Sequence, residues 1–240
     1  MEVESLYREP EKERVEISWG ALEFHDVFKI YRSGPVETVA LRGLDLRVEP
    51  GELVAVFGPS GSGKSTMLQL AAGLDVPSAG EVRVAGDSLG LLDEAELAAY
   101  RGRDIAVVFQ SGNLWASLTA LENVMLGLHL AGKPRPRAAA LRALETFGLG
   151  GRASARAAVL SGGEQQRVAI AAAAAREASL VLADEPTAEL DERNEAIVLD
   201  SLRSLRDTFG SAVVVVTHSP RVAAAADRVL ELRDGKVVSP

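Results

Sequence analysis

Cysteine is missing from this sequence altogether. A disulfide framework, a thiolate metal site and a cysteine nucleophile are therefore excluded, and the composition fits a reducing compartment. Long apolar runs are missing too. The longest, Val168–Ala175 and Ala212–Val216, fall well short of the ~20 residues a helix needs to cross a bilayer. Met1–Arg14 is crowded with charge around no apolar segment, which argues against a signal peptide. The expectation is a soluble, cytoplasmic chain. Positive charge is in deficit, with 26 Lys+Arg against 34 Asp+Glu and a formal net charge of −8. Nucleic-acid binders neutralise phosphates with clustered cations, so no nucleic-acid partner is expected. A local phosphate site built from backbone amides survives that exclusion. Aromatic residues supply only 5% of the chain, and much of the 47% apolar content is alanine. A helix-rich protein with small side chains at many packing positions follows.

What is present is a chain of 240 residues, enough for one large domain or two small ones. Residues 1–20 carry charge and Pro10, and read as a poorly ordered extension to one domain over 21–240. Strand signals lie at Leu22–Tyr31, at the alternating Leu44–Val48 and at the continuous apolar run Leu53–Phe57. Ser65–Leu74 reads as a helix, Val82–Ala85 as a strand, Asp93–Tyr100 as a helix and Ile105–Phe109 as a strand. Residues 111–160 look mainly helical, broken at Gly127, Gly132–Pro136 and Gly148–Gly151. The last third alternates helix Gly162–Arg176, strand Leu180–Ala183, helix Arg193–Phe209, strand Ala212–Thr217, helix Pro220–Asp227 and strand Val229–Arg233. Such alternation predicts an α/β fold on a parallel sheet. No internal repeat is present.

Gly58-Pro59-Ser60-Gly61-Ser62-Gly63-Lys64-Ser65 satisfies G-x-x-x-x-G-K-[ST] between an apolar strand and a helix, the context its mechanism requires. The glycines let successive N–H groups curl inward onto phosphate oxygens, reinforced by the positive end of the following helix. Lys64 can reach the β- and γ-phosphates and the Ser65 hydroxyl can ligate Mg²⁺; Thr66 continues the phosphate-binding turn. Leu180–Glu185 is an apolar strand ending in Asp184 and Glu185. Asp184 suits Mg²⁺ and Glu185 suits orienting and deprotonating a water. Leu160-Ser161-Gly162-Gly163-Glu164-Gln165-Gln166-Arg167 places a capping serine and two glycines at a helix N-terminus, a second anion site. One nucleotide loop with two such helix ends is reconciled if the second serves the nucleotide of another copy.

On these motifs the chain resembles the ATP-binding cassette family over about Ala21 to Val238. Within it the chain is similar to the subgroup of lipoprotein release, macrolide and peptide export, and the cell-division ATPase, through Leu97–Gln110, Ser117–Val124 and Ala226–Val237. The resemblance implies a P-loop NTPase fold with a RecA-like core, an antiparallel β subdomain and a helical subdomain inserted at about 111–160. It implies ATP and Mg²⁺ as ligands, ATP hydrolysis, and a head-to-tail pair with a second cassette. It also implies a separate integral membrane subunit, with the chain peripheral on the inner face of the cell membrane. By position in the family pattern, Tyr31 stacks on adenine, Gln110 contacts Mg²⁺ and the attacking water, and His218 contacts the γ-phosphate. Glu164 accompanies Ser161–Gly163 at the nucleotide, and Asp191 belongs to the segment that crosses between subunits. His25 and His129 match no functional position.

The sequence departs from the family pattern at three places: Glu189, where a small residue or asparagine is usual; Ala172, where arginine is common; and Gly112, Trp115 and Ala116, in the stretch that meets the membrane partner. The resemblance implies coupling of ATP-driven closure to export or to mechanical signalling. The alternative is a nucleotide switch that regulates a membrane partner without transport. Soluble tandem cassettes of translation and repair are disfavoured, since they need a second cassette or long insertions and the net charge of −8 gives no nucleic-acid footprint.

Overall fold

The computed structural model describes residues 19–34 and 36–239. The disorder expected over 1–20 falls almost wholly outside the described residues. Strands β1 (Leu22–Ser33), β2 (Val36–Val48), β4 (Ala79–Val84) and β5 (Asp87–Ser88) form an antiparallel sheet in the order β2-β1-β4-β5. A second sheet has the order β10 (Lys236–Ser239), β9 (Arg228–Arg233), β3 (Leu53–Phe57), β8 (Ala212–Thr217), β7 (Leu180–Asp184), β6 (Ile105–Val108). Strands β9, β3, β8, β7 and β6 run parallel, and β10 returns antiparallel through the Asp234-Gly235 turn.

Successive side chains on a strand point to opposite faces, so the central strands must be apolar throughout to be covered on both. Strand β8 is buried at every residue. Val54, Val56, Leu180, Leu182, Val214 and Val216 face one way and share a core with Leu22, Phe24 and Leu44 of the antiparallel sheet. Met67 and Leu70 of α1 (Lys64–Ala71) fill the space between. Leu53, Val181, Ala183, Val213 and Val215 face the other way. They pack with Val168 and Ile170 of α5 (Gly162–Arg176) and Val198, Leu202 and Leu205 of α6 (Glu192–Phe209).

The remaining helices are α2 (Glu94–Arg103), α3 (Ala120–Leu130), α4 (Pro136–Thr146) and α7 (Pro220–Ala225). Helices α3 and α4 pack on α5 and form the helical insert. The expected starts are enforced by side-chain caps. Asp93 with Glu96, Thr119 with Glu122 and Ser161 with Glu164 each form a reciprocal capping box.

The structure differs from the sequence expectation at several boundaries. Tyr31 does not end β1, because cross-strand pairing with β2 runs on to Ser33↔Val36. Strand β2 begins at Val36, well before Leu44, held by the same long hairpin. Helix α1 stops at Ala71 instead of Leu74, since Gly73 turns the chain left-handed (φ +60). Gly127 does not break the helical region but lies inside α3, and the stem of Arg176 passes 3.7 Å from where its Cβ would stand. Packing there outweighs the modest helix cost of glycine.

Candidate nucleotide site

In a parallel sheet, ligands gather beyond the carboxyl ends of the strands. Register brings four such ends side by side. Phe57 of β3 pairs with Thr217 of β8, Val216 of β8 with Asp184 of β7, and Ala183 of β7 with Val108 of β6. The chain leaves these ends as the Gly58–Lys64 loop, His218, Asp184-Glu185 and Gln110 respectively. Residues spread over 160 positions of sequence thus line one edge in the order loop, histidine, acids, glutamine.

The loop has little freedom to be anything else. A Cβ on Gly58 would lie 2.2 Å from the Leu232 carbonyl oxygen, and one on Gly63 (φ +104) 2.6 Å from that of Ala40. Gly61 adopts φ +79, a region that only glycine enters readily. Within the loop Lys64 Nζ donates to the Gly58 and Pro59 carbonyls at 2.7 and 2.8 Å. Ser62 Oγ is buried with no hydrogen-bond partner among the described residues. An orphaned hydroxyl in a cradle of backbone amides fits a phosphate oxygen. Ser60 and Thr66 flank this turn on either side.

Ser65 hydrogen-bonds the Asp184 carboxylate, while burial first, and then the charge of Glu185, push the Asp184 pKa up. A hydroxyl beside a half-buried carboxylate is an oxygen donor set for a hard cation, whose charge would relieve that strain. These residues therefore fit Mg²⁺. Glu185 sits in the left-handed region at φ +47, which turns its side chain across to β8. Its Oε1 meets His218 Nδ1 at 2.8 Å and its Oε2 faces the His218 N–H at 3.4 Å. Gln110 Nε2 donates to Glu189 Oε1 at 3.0 Å.

Tyr31 stands on the antiparallel sheet and is 39% exposed. Its hydroxyl donates to Asp75 Oδ2 at 2.9 Å, and the buried Lys29 ammonium lies 4.9 Å from the ring centre while also bonding Asp75. The Lys29–Asp75 pair, which the sequence reading missed, fixes the ring beside the α1 entrance. Its only sequence signal is a lysine on an otherwise inward-facing strand position.

Ser161, Gly162 and Gly163 open α5, and Gly162 lines a pocket with Gln110, Pro186 and Glu189 at the far end of this edge from the phosphate loop. No hydrogen bond joins them to residues 58–66 among the described residues; Gly162 instead faces Leu190, and Gly163 packs tightly on Asn194. Glu164 spends its carboxylate on the Ser161 N–H and on Arg152. Asp191 caps α6, taking the Asn194 N–H at 2.8 Å. Within one chain, then, Ser161–Glu164 and Asp191 are not brought to the phosphate loop. Gln166 is a further omission of the sequence reading: buried, it donates to the Phe109 and Gln110 carbonyls at 2.9 and 2.5 Å and so ties α5 to the glutamine loop.

A glycine cradle at a strand–helix junction, with an acid pair two strands away in the same parallel sheet, defines a P-loop ATPase. The match to known proteins is narrower: the ABC transporter family model covers residues 41–188, and the chain belongs to that family, as an ATP-hydrolysing, ATP-binding subunit. It is 47% identical to the lipoprotein-releasing system ATP-binding protein LolD of Anaeromyxobacter dehalogenans, over 91% of this chain and 92% of that one. It is 43% identical to the macrolide export ATP-binding/permease protein MacB of Hyphomonas neptunium, over 91% of this chain but only 34% of that longer protein. The dimeric ATP-binding cassette MJ0796, solved in a post-hydrolysis state with ADP and Pi, superposes with a TM-score of 0.83 at 40% identity over 91% of this chain. No helix among the described residues is long and apolar enough to cross a membrane.

Proposed function

We propose that two copies of this chain pair head to tail and close on two ATP molecules, each held between the Gly58–Thr66 loop of one copy and Ser161–Glu164 of the other. The separation of the two anion-binding helix ends within one chain carries this reading, and the dimeric form of the MJ0796 relative supports it. Asp191, beside the contact, lies on the segment between copies.

Lys64 and the loop amides bind the β- and γ-phosphates and stabilise the charge that spreads over the transferring group. Tyr31 offers its face to adenine. Glu185 orients the attacking water and takes its proton, and His218, bonded to that carboxylate, holds it in place and faces the γ-phosphate. Ser65, Gln110 and, through water, Asp184 would hold Mg²⁺. When bound, that ion supplies Lewis-acid neutralisation of the β- and γ-oxygens. Loss of the γ-phosphate removes contacts that favour the closed pair, so the population shifts toward open.

The motion is delivered to a separate membrane subunit at the inner face of the cell membrane. A groove between α3, α5 and the glutamine loop suits it. Trp115 and Leu130 are exposed there (66% and 76%) beside Leu114, Leu126 and Ala172. Arg176 lines the same groove, donating to the Ile105 carbonyl at 2.9 Å with no acidic partner among the described residues, and burial holds its pKa down. It stands one helical turn beyond Ala172 and supplies a cation on that face. Similarity to a lipoprotein-releasing and a macrolide-export protein favours coupling to release or export. The test is Glu185→Gln: with Mg-ATP it should elute as a stable dimer and turn over at no more than ~10⁻² of the parent rate. A Glu185→Gln protein that remains monomeric at saturating Mg-ATP, or hydrolyses at the parent rate, would overturn the reading.

A further inference from the structure

Gln110 is tied down twice, in two different ways. Its backbone is held by α5: Gln166 Nε2 donates to the Gln110 carbonyl, and the Phe109 amide group is clamped by Asn113 at 2.8 Å (N–H to Oδ1) and 2.7 Å (Nδ2 to carbonyl). Asn113 Nδ2 is itself bonded to Gln166 Oε1 at 3.0 Å. Its side chain is held by Glu189 alone among the described residues, through Nε2 to Oε1 at 3.0 Å. Glu189 lies on the turn after β7, and that turn is braced by Leu190 against Gly162.

The two ends of a glutamine amide are chemically opposite, and rotation about the last torsion exchanges them across a broad, roughly two-fold well. A carboxylate can only accept, so it selects the NH₂ end and leaves Oε1 as the free end. Oxygen is the end a hard cation takes; an NH₂ group turned toward Mg²⁺ would repel it. Both side chains are exposed, so the bond contributes little to stability. Its consequence is orientation. Resting on the assignment of Gln110 as a metal-facing residue made above, we propose that Glu189 is a positioning residue that sets which end of the Gln110 amide meets Mg²⁺. Aspartate or asparagine at this position is a methylene shorter, and would have to move the turn to reach the same nitrogen.

The measurement is the affinity of the full chain for a fluorescent ATP analogue, with Mg²⁺ and with EDTA, whose ratio isolates the contribution of the metal. In Glu189→Ala the ratio should fall by roughly three- to tenfold, as expected when a competent conformer is diluted among others. Binding in EDTA should stay at the parent value, which also reports an intact fold. Glu189→Gln, whose amide can accept the same N–H but can also donate to Oε1, should restore only part of the ratio. In a Gln110→Ala background, Glu189→Ala should add nothing. The side-chain amide resonance of Gln110 in a ¹⁵N spectrum, identified by its loss in Gln110→Ala, should shift in Glu189→Ala without nucleotide. If Gln110→Ala leaves the ratio unchanged, the metal-facing assignment fails and the inference with it. If Gln110→Ala lowers the ratio but Glu189→Ala leaves it unchanged, raises it, or adds fully to Gln110→Ala, the positioning role alone is overturned.

Discussion

Glu185 and His218 leave the ends of adjacent parallel strands and meet at 2.8 Å, Oε1 to Nδ1. The contact exists because Glu185 adopts φ +47 at the end of β7, an uncommon conformation for a side chain larger than asparagine. The histidine holds both carboxylate oxygens, one through its ring and one through its N–H. Replacing the ring frees the carboxylate to rotate. His218→Ala is expected to lower kcat about 100-fold, the lower range of general-base effects. Affinity for ATP measured by fluorescence should change far less, since the phosphate loop is untouched.

Two loop glycines are needed for different reasons, and alanine substitution separates them. Gly58 lacks room: its Cβ would press on the Leu232 carbonyl, fixed in β9. Gly58→Ala must displace the loop, and overpacking of this kind costs typically about 1–3 kcal/mol, occasionally more. Gly61 has open space but a left-handed φ of +79, which penalises alanine by about 1–2 kcal/mol. Gly61→Ala is therefore expected to weaken ATP binding by roughly tenfold, and Gly58→Ala by roughly 100-fold, in the same titration.

Stacking on Tyr31 needs a ring face and not a hydroxyl. Base–aromatic stacking is worth about 1–3 kcal/mol. Tyr31→Ala should weaken ATP binding by roughly five- to 150-fold. Tyr31→Phe keeps the face and loses the hydroxyl's bonds to Asp75 and Thr66, so its affinity should stay within about threefold of the parent, read from the same titration.

The raised pKa of Asp184, caused chiefly by burial and then by Glu185, has a definite sign in stability. An acid whose folded pKa lies above its unfolded value stabilises fully only below the unfolded value. That contribution is lost as pH rises from about 3.8 through the raised folded value. The ionised Asp184 thus destabilises the nucleotide-free chain at neutral pH. Asp184→Asn should melt higher than the parent at pH 7 without Mg-ATP. The difference should shrink as the pH is lowered toward 4, followed by calorimetry. Added Mg-ATP should stabilise the parent more than the variant.

Some of the site was legible because its chemistry is local. The phosphate loop needs glycines at fixed spacing, the acid pair ends an unbroken apolar run, and Ser161 caps its own helix three residues ahead of Glu164. Their spacing is local, although Gly58 and Gly63 must also clear the Leu232 and Ala40 carbonyls that pack on the loop. Tyr31 with Lys29 and Asp75, Gln166 with the glutamine loop, and Glu189 with Gln110 were not legible as contacts, because their partners lie 44 to 79 positions apart. No period or motif spans that distance.

By itself, then, the sequence determined the parts: a valine-rich parallel sheet from residues too apolar to face water on either side, a glycine-bent anion cradle, and capped helices. Tertiary structure decided their order along one edge, since only the register of β3, β8, β7 and β6 brings the loop, His218, Glu185 and Gln110 side by side. It also decided that Ser161–Gly163 packs on Leu190 and Asn194, with no hydrogen bond to the loop of its own chain among the described residues. Strand pairing is a non-local choice, made by burial on both faces of the sheet at once, and no stretch of sequence carries it alone.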